Sequence, residues 1–467
     1  MTRRRYAIRT YGCQMNIHDS EKLANLLHHA GLQRAAGEAE ADLLVINTCS
    51  IRDKAEQRLY SDLGRLREWK QERPGRMVGV GGCVAQQVGD GILKRFPQVD
   101  FVFGTHNLRM VPALIESGDA GQRSLAVAEN RSPDRFDFPD FHPAFDPQTR
   151  GAGFVTVMEG CDMFCTFCIV PQTRGREISR PAESILGEVR QRVAAGLREV
   201  TLLGQTVNAY GRQEERRGQD ERAGTVPFAA LLGELNAVPG LERIRYTSPH
   251  PLFFGDALIH AHGALERLAP HVHLPLQSGS DKILERMQRR YNAGEFLEIV
   301  AALRRARPDI AITTDLIVGF PGETSADFND TLAVVSEAGF VDQYSFKYSP
   351  RPGTRAAEME GRVSPELAQE RLEELQALQR GMTLAYHRQR VGERTEVLLE
   401  GPSRRGGGQV CGRDPYHRVV NLAEPVGNGE PMEAGQLLPV DIVEATPHSL
   451  IGVPVSDTAA ARLHVVG

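Results

Sequence analysis

The segment that decides the fold is residues 161–168, which read Cys-Asp-Met-Phe-Cys-Thr-Phe-Cys and place three cysteines at C-x3-C-x2-C spacing. Three thiolates this close in sequence can bind three irons of one 4Fe-4S cluster, which leaves the fourth iron open to a small molecule. The alternatives are a zinc site completed by a histidine and buried cysteines without any ligand. Zinc sites usually combine two separated cysteine pairs, and only Cys165 and Cys168 have that spacing, so a cluster is favoured.

Around this segment, strand-like runs alternate with helical ones. The segment directly follows the first of six apolar runs, at residues 154–158, 200–203, 243–246, 272–276, 311–318 and 344–348. Helical patterns such as residues 182–195 and 293–305 separate them, which predicts a parallel sheet. Six units are too few for a closed eight-stranded barrel. We therefore expect a partial (β/α)6 barrel with its site at the carboxyl ends of the strands.

The first hundred residues show the same alternation. Strands are predicted at residues 6–10, 43–47, 77–80 and 99–103, and helices at 19–30, 52–73 and 91–96. Cys13, Cys49 and Cys83 each follow one of the first three strands. Because the carboxyl ends of parallel strands meet at one edge, we expect these thiols to converge in a doubly wound α/β domain. The glycines of residues 79–82 then indicate room for a bound group beside the backbone.

The length of 467 residues predicts about three domains. We place an N-terminal α/β domain at 4–120, a Pro-, Asp- and Phe-rich linker at 121–150, and the barrel at 151–385, with Ser364 and Pro365 starting its last long helix. Strand-like runs at 395–399, 418–422 and 440–443 predict a small β-barrel over 388–455.

Charge and composition restrict the possible partners. A net charge of -5 excludes a uniformly basic surface, so any contact with nucleic acid must be local. Residues 380–421 carry eight arginines and four acidic residues, which makes them the best candidate, with an ordinary mixed-charge surface as the alternative. Residues 212–222 are predicted to be a solvated loop without a function.

Nothing in the sequence indicates a membrane or an export signal. The basic start lacks an apolar continuation, and no uncharged apolar stretch approaches the ~18 residues that a transmembrane helix needs. Seven cysteines are few, and odd in number, for a disulfide scaffold. A cytoplasmic location without a membrane partner is expected.

The C-x3-C-x2-C motif, with Phe167 as its aromatic residue, resembles the radical S-adenosylmethionine (SAM) superfamily. The resemblance implies a 4Fe-4S cluster at Cys161, Cys165 and Cys168 whose open iron binds SAM, with Phe167 near the adenine. Asn208 and Gln277, at the ends of barrel strands, are further candidates for SAM contacts. For His273, a polar site residue and a core histidine remain equally open.

Other motifs are similar to those of the methylthiotransferases, in the bacterial branch that modifies isopentenylated adenosine in tRNA. The motifs are Tyr-Gly-Cys-Gln-Met-Asn at 11–16, Asn-Thr-Cys-Ser-Ile-Arg at 47–52, Thr-Arg-Gly-Arg-Glu at 173–177 and Gly-Gln-Thr-Val-Asn-Ala-Tyr at 204–210. The sister branches typically have Gly-Cys-Pro-Lys-Asn or Gly-Cys-Lys-Val-Asn at the first motif. The resemblance runs from residue 6 to about 452, and it implies that Cys13, Cys49 and Cys83 hold a second, auxiliary 4Fe-4S cluster with an open iron.

The implied activity is methylthiolation of C2 of N6-isopentenyladenosine at position 37 of tRNA. One SAM would methylate sulfur on the auxiliary cluster, and a second would yield the 5′-deoxyadenosyl radical, with no catalytic residues beyond the cluster ligands. The C-terminal module resembles the RNA-binding TRAM domain. Expected partners are the tRNA and a flavodoxin- or ferredoxin-type electron donor. The protein is expected to be a monomer, and its sulfur source stays open.

Two other functions remain as rivals, a ribosomal-protein methylthiotransferase and a non-catalytic iron-sulfur RNA-binding protein. The first would place the methylthio group on a protein, and the second would not cleave SAM when reduced. Cys411 is predicted to be an ordinary small apolar residue. The tail after Val453 has no assigned role.

Overall fold

The structure is a computed structural model that describes residues 4–50, 53–140, 151–216, 218, 224–403, 409–422 and 432–455. It contains an N-terminal α/β domain, a central partial barrel and a C-terminal closed β-barrel. This arrangement confirms the predicted fold class. None of the helices in these residues combines the length and apolarity that crossing a membrane requires.

The N-terminal domain is a six-stranded parallel sheet in the order β2-β1-β3-β4-β5-β6. Helices cover both faces, so a central strand such as β3 is buried along its whole length. The strands are β1 (Arg5–Thr10), β2 (Gln33–Arg34), β3 (Leu43–Thr48), β4 (Met77–Gly82), β5 (Phe101–Phe103) and β6 (Ser124–Ala126). The helices are α1 (Gln14–His29), α2 (Asp53–Glu72), α3 (Cys83–Val88), α4 (Asp90–Arg95) and α5 (Val111–Asp119).

Two boundaries differ from the sequence-based predictions. Helix α1 begins at Gln14 with Cys13 as its N-cap, not near residue 19. The polar residues that resemble a cap there make tertiary contacts instead: Asp19 pairs with Arg174, and Ser20 bonds to Thr10. Strand β6 lies inside the predicted linker 121–150 and completes the sheet, and residues 141–150 of that linker lie outside the described residues.

The central domain contains the six predicted barrel strands, in two parallel sheets ordered β11-β10-β7 and β12-β13-β14. An isolated parallel bridge pairs Ile244 of the first sheet with Leu268, which lies three residues before the second sheet begins at His271. The strands are β7 (Ala152–Thr156), β8 (Met158–Glu159), β9 (Ile178–Ser179), β10 (Glu199–Leu203), β11 (Arg243–Tyr246), β12 (His271–His273), β13 (Ala311–Val318) and β14 (Asp342–Lys347). Strands β8 and β9 form a separate hairpin-like pair beside the barrel.

Seven of the nine helices in the described part of the domain contribute to its main apolar core, and the exceptions are the short helices at Val170–Thr173 and Arg212–Arg216. The nine helices are α6 (Val170–Thr173), α7 (Ala182–Ala194), α8 (Arg212–Arg216), α9 (Phe228–Asn236), α10 (Asp256–Ala264), α11 (Asp281–Arg286), α12 (Ala293–Ala306), α13 (Ser325–Ala338) and α14 (Pro365–Gln389). Ser364 caps α14 by accepting a hydrogen bond from the Leu367 amide, as the Ser-Pro pair predicts.

The C-terminal barrel closes in the order β15-β16-β17-β19-β18. Its strands are β15 (Arg394–Pro402), β16 (Val410–Arg413), β17 (Val419–Leu422), β18 (Leu437–Ala445) and β19 (Leu450–Pro454), two more than the three runs recognised in the sequence. The module contacts the central domain through polar groups. Arg418 pairs with Asp342 at 2.8 Å, and Arg245 donates to the Asp414 carbonyl oxygen at 2.9 Å.

These contacts change the meaning of the arginine excess in residues 380–421. Four of its eight arginines form ion pairs within the protein: Arg390, Arg394, Arg413 and Arg418. Arg380 and Arg388 are exposed, whereas Arg404 and Arg405 lie outside the described residues. The local charge excess therefore overstates the positive charge that remains available to an RNA backbone.

Candidate functional site

Cys13, Cys49 and Cys83 lie together at one edge of the N-terminal sheet. They follow β1, β3 and β4, which are neighbours in that sheet, as the strand alternation predicts. The Cys49 thiol is within hydrogen-bonding reach of both other cysteines, and none of the three is part of a disulfide. Cys49 and Cys83 are buried, and Cys13 is half-buried. Three cysteines distant in sequence thus form one cluster of thiols.

The surroundings of this first trio favour thiolates. Hydrogen bonds from Cys49 lower the pKa of Cys13 to about 6 and that of Cys83 to about 7, and the positive charge of Arg174 adds to both effects. The pKa of Cys49 is raised because its proton is shared with these two neighbours. Cys13 caps α1 and Cys83 begins α3, so helix N-termini also face the sulfurs.

Two glycines allow the backbone to pack closely beside the trio, where a side chain would collide with neighbouring protein atoms. A Cβ on Gly12 would lie 2.6 Å from both Asn16 Oδ1 and Cys49 Cβ, and one on Gly82 would lie 2.3 Å from the Thr48 carbonyl oxygen. The prediction that the glycines of residues 79–82 leave room for a bound group is wrong, because each of them faces protein atoms and Gly82 approaches the Thr48 backbone. At Gly79 and Gly81 the space is taken by the rings of Phe101 and Phe103, on the adjacent strand.

Two asparagines connect the turns that carry Cys13 and Cys49. Asn16 donates to the Thr48 carbonyl oxygen at 3.2 Å, and Asn47 donates to the Asn16 carbonyl oxygen at 2.9 Å. Both asparagines are buried. Their short amide side chains hold the ends of β1 and β3 at a fixed separation, which explains their place in the two quoted motifs.

Cys161, Cys165 and Cys168 occupy the loop after β8, at the mouth of the barrel. The Sγ atom of Cys161 lies 3.1 Å from Thr206 Oγ1, and Arg289 donates to Cys165 Sγ at 3.4 Å. Burial raises the pKa of Cys161 to about 11 and that of Cys168 to about 12. This second trio therefore lies in a more apolar environment than the first, packed with Met163.

Residues predicted to be functionless support this loop. Part of the predicted solvated segment 212–222 forms α8, whose Gln213 donates to Asp162 Oδ2 at 3.0 Å. The Asp162 amide in turn donates to Glu177 Oε1 at 3.2 Å. Gly160 has φ +83, and a Cβ there would lie 2.0 Å from the Arg176 carbonyl oxygen. The cysteine loop is therefore held on both sides by the segment after α6 and by α8.

The three residues predicted to contact SAM differ in their surroundings. Phe167 packs between the cysteine loop and Phe320, with ring centroids 6.4 Å apart. Both amide atoms of Asn208 are bonded to the His250 backbone, so this side chain braces a neighbouring loop. Gln277 adopts φ +73, a conformation that non-glycine residues rarely take outside functional or strained sites. Their roles as SAM contacts stay predictions.

His273 is a polar residue of the barrel wall and not a core histidine. Its Nδ1 lies 3.0 Å from Thr313 Oγ1, and its Nε2 lies 3.2 Å from Asp315 Oδ2. Its ring packs edge-on against Tyr344 on the adjacent strand β14, and Tyr344 is exposed.

Sequence reasoning missed one buried arginine beside each trio. Arg289 lies at the barrel trio, where it also bonds to Tyr291 and to the Pro275 carbonyl oxygen. Arg174 comes from the central domain but lies at the N-terminal trio. Arg174 belongs to the quoted segment 173–177, yet only the docking of the two domains reveals what it faces.

The two sites suit iron-sulfur clusters better than single ions. Among the described residues, no group of three or more His, Cys, Asp or Glu side chains has the geometry of a site for a single metal ion. Each site offers three thiols without a fourth cysteine, and iron-sulfur clusters are held by cysteine thiolates. The lowered pKa values of Cys13 and Cys83 beside Arg174 fit such a group at the first trio.

Comparisons with known proteins agree with both domains. Residues 5–104 match the uncharacterized protein family UPF0004, and residues 155–335 match the radical SAM superfamily. A tRNA-2-methylthio-N(6)-dimethylallyladenosine synthase of Geobacter metallireducens is 49% identical over 95% of this chain and 97% of its own length. The chain belongs to this synthase family. A relative of the same name from Geobacter sulfurreducens is 44% identical over 99% of this chain and its full length.

Solved structures share the fold at low sequence identity. The radical S-adenosylmethionine methyltransferase TsrM of Kitasatospora setae, with cobalamin and a 4Fe-4S cluster bound, aligns with a TM-score of 0.55 at 14% identity, over 76% of this chain and 74% of that one. The cobalamin-dependent radical enzyme OxsB aligns with a TM-score of 0.53 at 13% identity, over 81% of this chain and 56% of that one. These likenesses support the architecture alone.

Proposed function

We propose that this protein is a radical SAM enzyme that methylthiolates C2 of N6-isopentenyladenosine at position 37 of tRNA, with SAM as both methyl donor and radical source. The observation that carries the proposal is the presence of two separate cysteine trios, one per domain, in a chain 49% identical to a synthase named for this product. An aromatic C2–H has no acidic proton and no leaving group, so acid-base catalysis is inadequate and a cofactor must supply the reactivity.

The protein's own residues hold and shield the two cofactor sites. Cys161, Cys165 and Cys168 would ligate the cluster that cleaves SAM, while Cys13, Cys49 and Cys83 would ligate the auxiliary cluster that carries the sulfur. When bound, the two 4Fe-4S clusters would supply one electron for SAM cleavage and a binding site for the transferred sulfur. The residues Phe167, Asn208 and Gln277 would position SAM at the barrel mouth, either directly or, for Asn208, through His250.

Binding of tRNA is assigned to the C-terminal module together with the open face of the barrel. The closed five-stranded barrel, which resembles TRAM, supports this assignment. Its firm attachment through Arg245 and Arg418 would hold the RNA in a fixed position relative to the barrel mouth. A flavodoxin or ferredoxin would deliver the electrons, and the enzyme would act as a cytoplasmic monomer.

Nucleoside mass spectrometry tests the proposal. A bacterial strain lacking its own synthase would be complemented with this chain, with its Cys161→Ala variant, or with Cys411→Ala as a matched control outside both trios. We expect 2-methylthio-N6-isopentenyladenosine with the wild type and with Cys411→Ala, and only N6-isopentenyladenosine with Cys161→Ala. A wild-type chain that leaves the tRNA unmodified, or that places the methylthio group on a ribosomal protein, would contradict the proposal.

A further inference from the structure

A short segment of the central domain connects the two cysteine trios. Helix α6 begins just after Cys168, and the residue that follows it is Arg174. The end of this helix is anchored on the N-terminal domain. Thr105 donates to the Thr173 carbonyl oxygen at 2.6 Å, and His106 Nε2 lies 2.8 Å from the Arg174 carbonyl oxygen. One continuous stretch thus leads from the barrel trio into the other domain.

The close fit after α6 leaves little freedom for Arg174. Gly175 has φ +73, and a Cβ there would lie 2.9 Å from both Glu129 Oε1 and His106 Cε1. A larger residue would be strained in its backbone and would meet two side chains of the N-terminal domain. The backbone on both sides of Arg174 is therefore fixed to the domain that carries the first trio.

The Arg174 guanidinium is buried between Asp19 and the first trio, where it also forms a hydrogen bond with the Cys83 thiol. Its side chain is 3% exposed, and Nη2 donates to Asp19 Oδ2 at 2.6 Å. Nη1 is buried without any hydrogen-bond partner. A buried donor left unpaired costs free energy, and more so when it is charged, so such a group indicates an acceptor that binds there. Asp19 lies on α1, the helix capped by Cys13, which directs the guanidinium to the first trio.

We propose that Arg174 is a positioning residue whose Nη1 binds the sulfur anion carried at the Cys13, Cys49 and Cys83 site and holds it on the side that faces the barrel. The identity of the anion as hydrosulfide or a methylated thiolate rests on the proposed function. Charge-assisted hydrogen bonds to an anion are about twice as strong as neutral ones, and Asp19 keeps the arginine from turning away. The radical SAM domain would thereby help to build the sulfur site of its neighbour.

A purely structural ion pair between domains is the competing explanation, and the chain offers a matched control for it. Arg135 and Glu159 form another buried ion pair, between the segment after β6 and strand β8. Arg135 is not among the main charges that act on the three cysteines of the first trio, although its partner Glu159 also acts on Arg174. Arg135→Gln should therefore weaken the domain contact as Arg174→Gln does, while Arg174 stays bonded to Asp19 and available to an anion at the trio.

The test uses the full chain with Cys161, Cys165 and Cys168 replaced by Ala, so that only the first trio can hold a cluster. After anaerobic reconstitution, sodium methanethiolate and sodium hydrosulfide are titrated separately into the reduced protein, and binding is followed by electron paramagnetic resonance. We expect Arg174→Gln to weaken binding of at least one probe about tenfold or more. Arg135→Gln should bind both probes as the parent protein does. The probe that responds to Arg174 identifies the anion.

Arg174→Lys covers the case in which the glutamine variant fails to retain iron. The planar arginine guanidinium can bond to Asp19 and to the anion at the same time, whereas a lysine ammonium can pair with only one of them well. We therefore expect Arg174→Lys to weaken anion binding about threefold or more. Affinities within twofold of the parent, in whichever variant keeps its iron, would overturn the proposal. Failure of the proposed function would give a different result. Anion binding would still depend on Arg174, but the wild-type chain would make no methylthiolated nucleoside from tRNA.

Discussion

The two cysteine trios are built by opposite means. The barrel trio lies within one short loop, so local sequence alone brings its thiols together. The N-terminal trio is gathered from the ends of β1, β3 and β4, and its charge environment includes Arg174 from another domain. The first trio therefore depends on the sheet and on domain docking, whereas the barrel trio depends mainly on its own loop and on Arg289.

The largest effect should be the loss of one complete cluster. We expect about eight irons per chain after anaerobic reconstitution of the wild type, and about four when either trio is replaced by Ala, since each trio suffices for one 4Fe-4S cluster. Iron and sulfide assays give the count, and Mössbauer spectra distinguish clusters from adventitious iron. A wild type that holds only four irons, or zinc, would remove the basis of the comparison.

The dependence of the first trio on the sheet can be tested at Gly82. Its φ is +94, and a Cβ would lie 2.3 Å from backbone, so Gly82→Ala should lower the free energy of unfolding of the N-terminal domain by about 3 kcal/mol. It should also remove the first cluster and leave the second. Gly31 has φ +86 with open space around it, so Gly31→Ala should cost only about 1 kcal/mol.

Urea unfolding and iron assays on both variants would give this comparison. Equal stability and iron content in the Gly82→Ala and Gly31→Ala proteins would show that the close packing at Gly82 does not support the trio. Loss of both clusters in Gly82→Ala would show instead that the two sites do not differ in what holds them.

Domain docking has its own test at His18, which lies on α1 and contacts Thr156 of β7 at 2.7 Å. Burial lowers the pKa of His18 to about 3, and the positive charges of Lys22 and Arg192 add to this effect while Glu188 opposes it. The folded protein thus keeps His18 neutral while the unfolded chain binds a proton near pH 6.5. Its stabilising contribution is complete above pH 6.5 and is lost as the pH falls toward 3, at most about 2 kcal/mol between pH 7 and pH 5.

Hydrogen exchange of the α1 amides at pH 7 and pH 5 measures this loss. The opening free energy of α1 should be lower at pH 5 than at pH 7 in the wild type. It should also be lower in His260→Gln, a control that removes an exposed histidine. It should fall less in His18→Gln. The same pH dependence in all three proteins would exclude His18 as the acid-sensitive group at the domain contact.

The smallest expected effect concerns tRNA binding, which should depend on neither trio. Replacing Arg404 and Arg405, in the segment between β15 and β16, should weaken tRNA binding about tenfold and reduce its salt dependence, because phosphate contacts release counterions. Arg190→Ala with Arg198→Ala removes the same charge from the barrel surface, where both arginines pair with glutamates. Filter binding over a range of salt concentrations would compare the tRNA affinities of the two double variants. Equal losses of affinity would place the RNA contact outside the C-terminal module.

The sequence predicted those parts of the sites that follow from periodicity. Strands alternating with helices were enough to predict that Cys13, Cys49 and Cys83 meet, because parallel strands share a carboxyl edge. The start of α1 was missed, since Asp19 and Ser20 resemble an N-cap but make tertiary bonds. The start of the long helix α14 at Ser364 was predicted correctly, because its N-cap is a purely local interaction.

Side chains whose partners are distant in sequence could not be predicted. Arg289 belongs to no motif, Arg174 lies in a motif that does not reveal what its side chain faces, and Gln213 lies in a charged run that is typical of a solvated loop. The arginine excess of residues 380–421 looked basic because a sequence does not reveal which arginines pair with distant acids such as Asp342 and Asp441. Side-chain partners set by tertiary packing require the structure.

The most direct test of the two-site account measures both products of one reaction. Each triple Ala variant, with folding checked by circular dichroism, would receive dithionite, SAM and isopentenylated tRNA, and mass spectrometry would quantify 5′-deoxyadenosine and the methylthiolated nucleoside. We expect no deoxyadenosine from the Cys161, Cys165, Cys168 variant, and deoxyadenosine without methylthiolated product from the Cys13, Cys49, Cys83 variant. Methylthiolated product from the second variant, or deoxyadenosine from the first, would contradict the account.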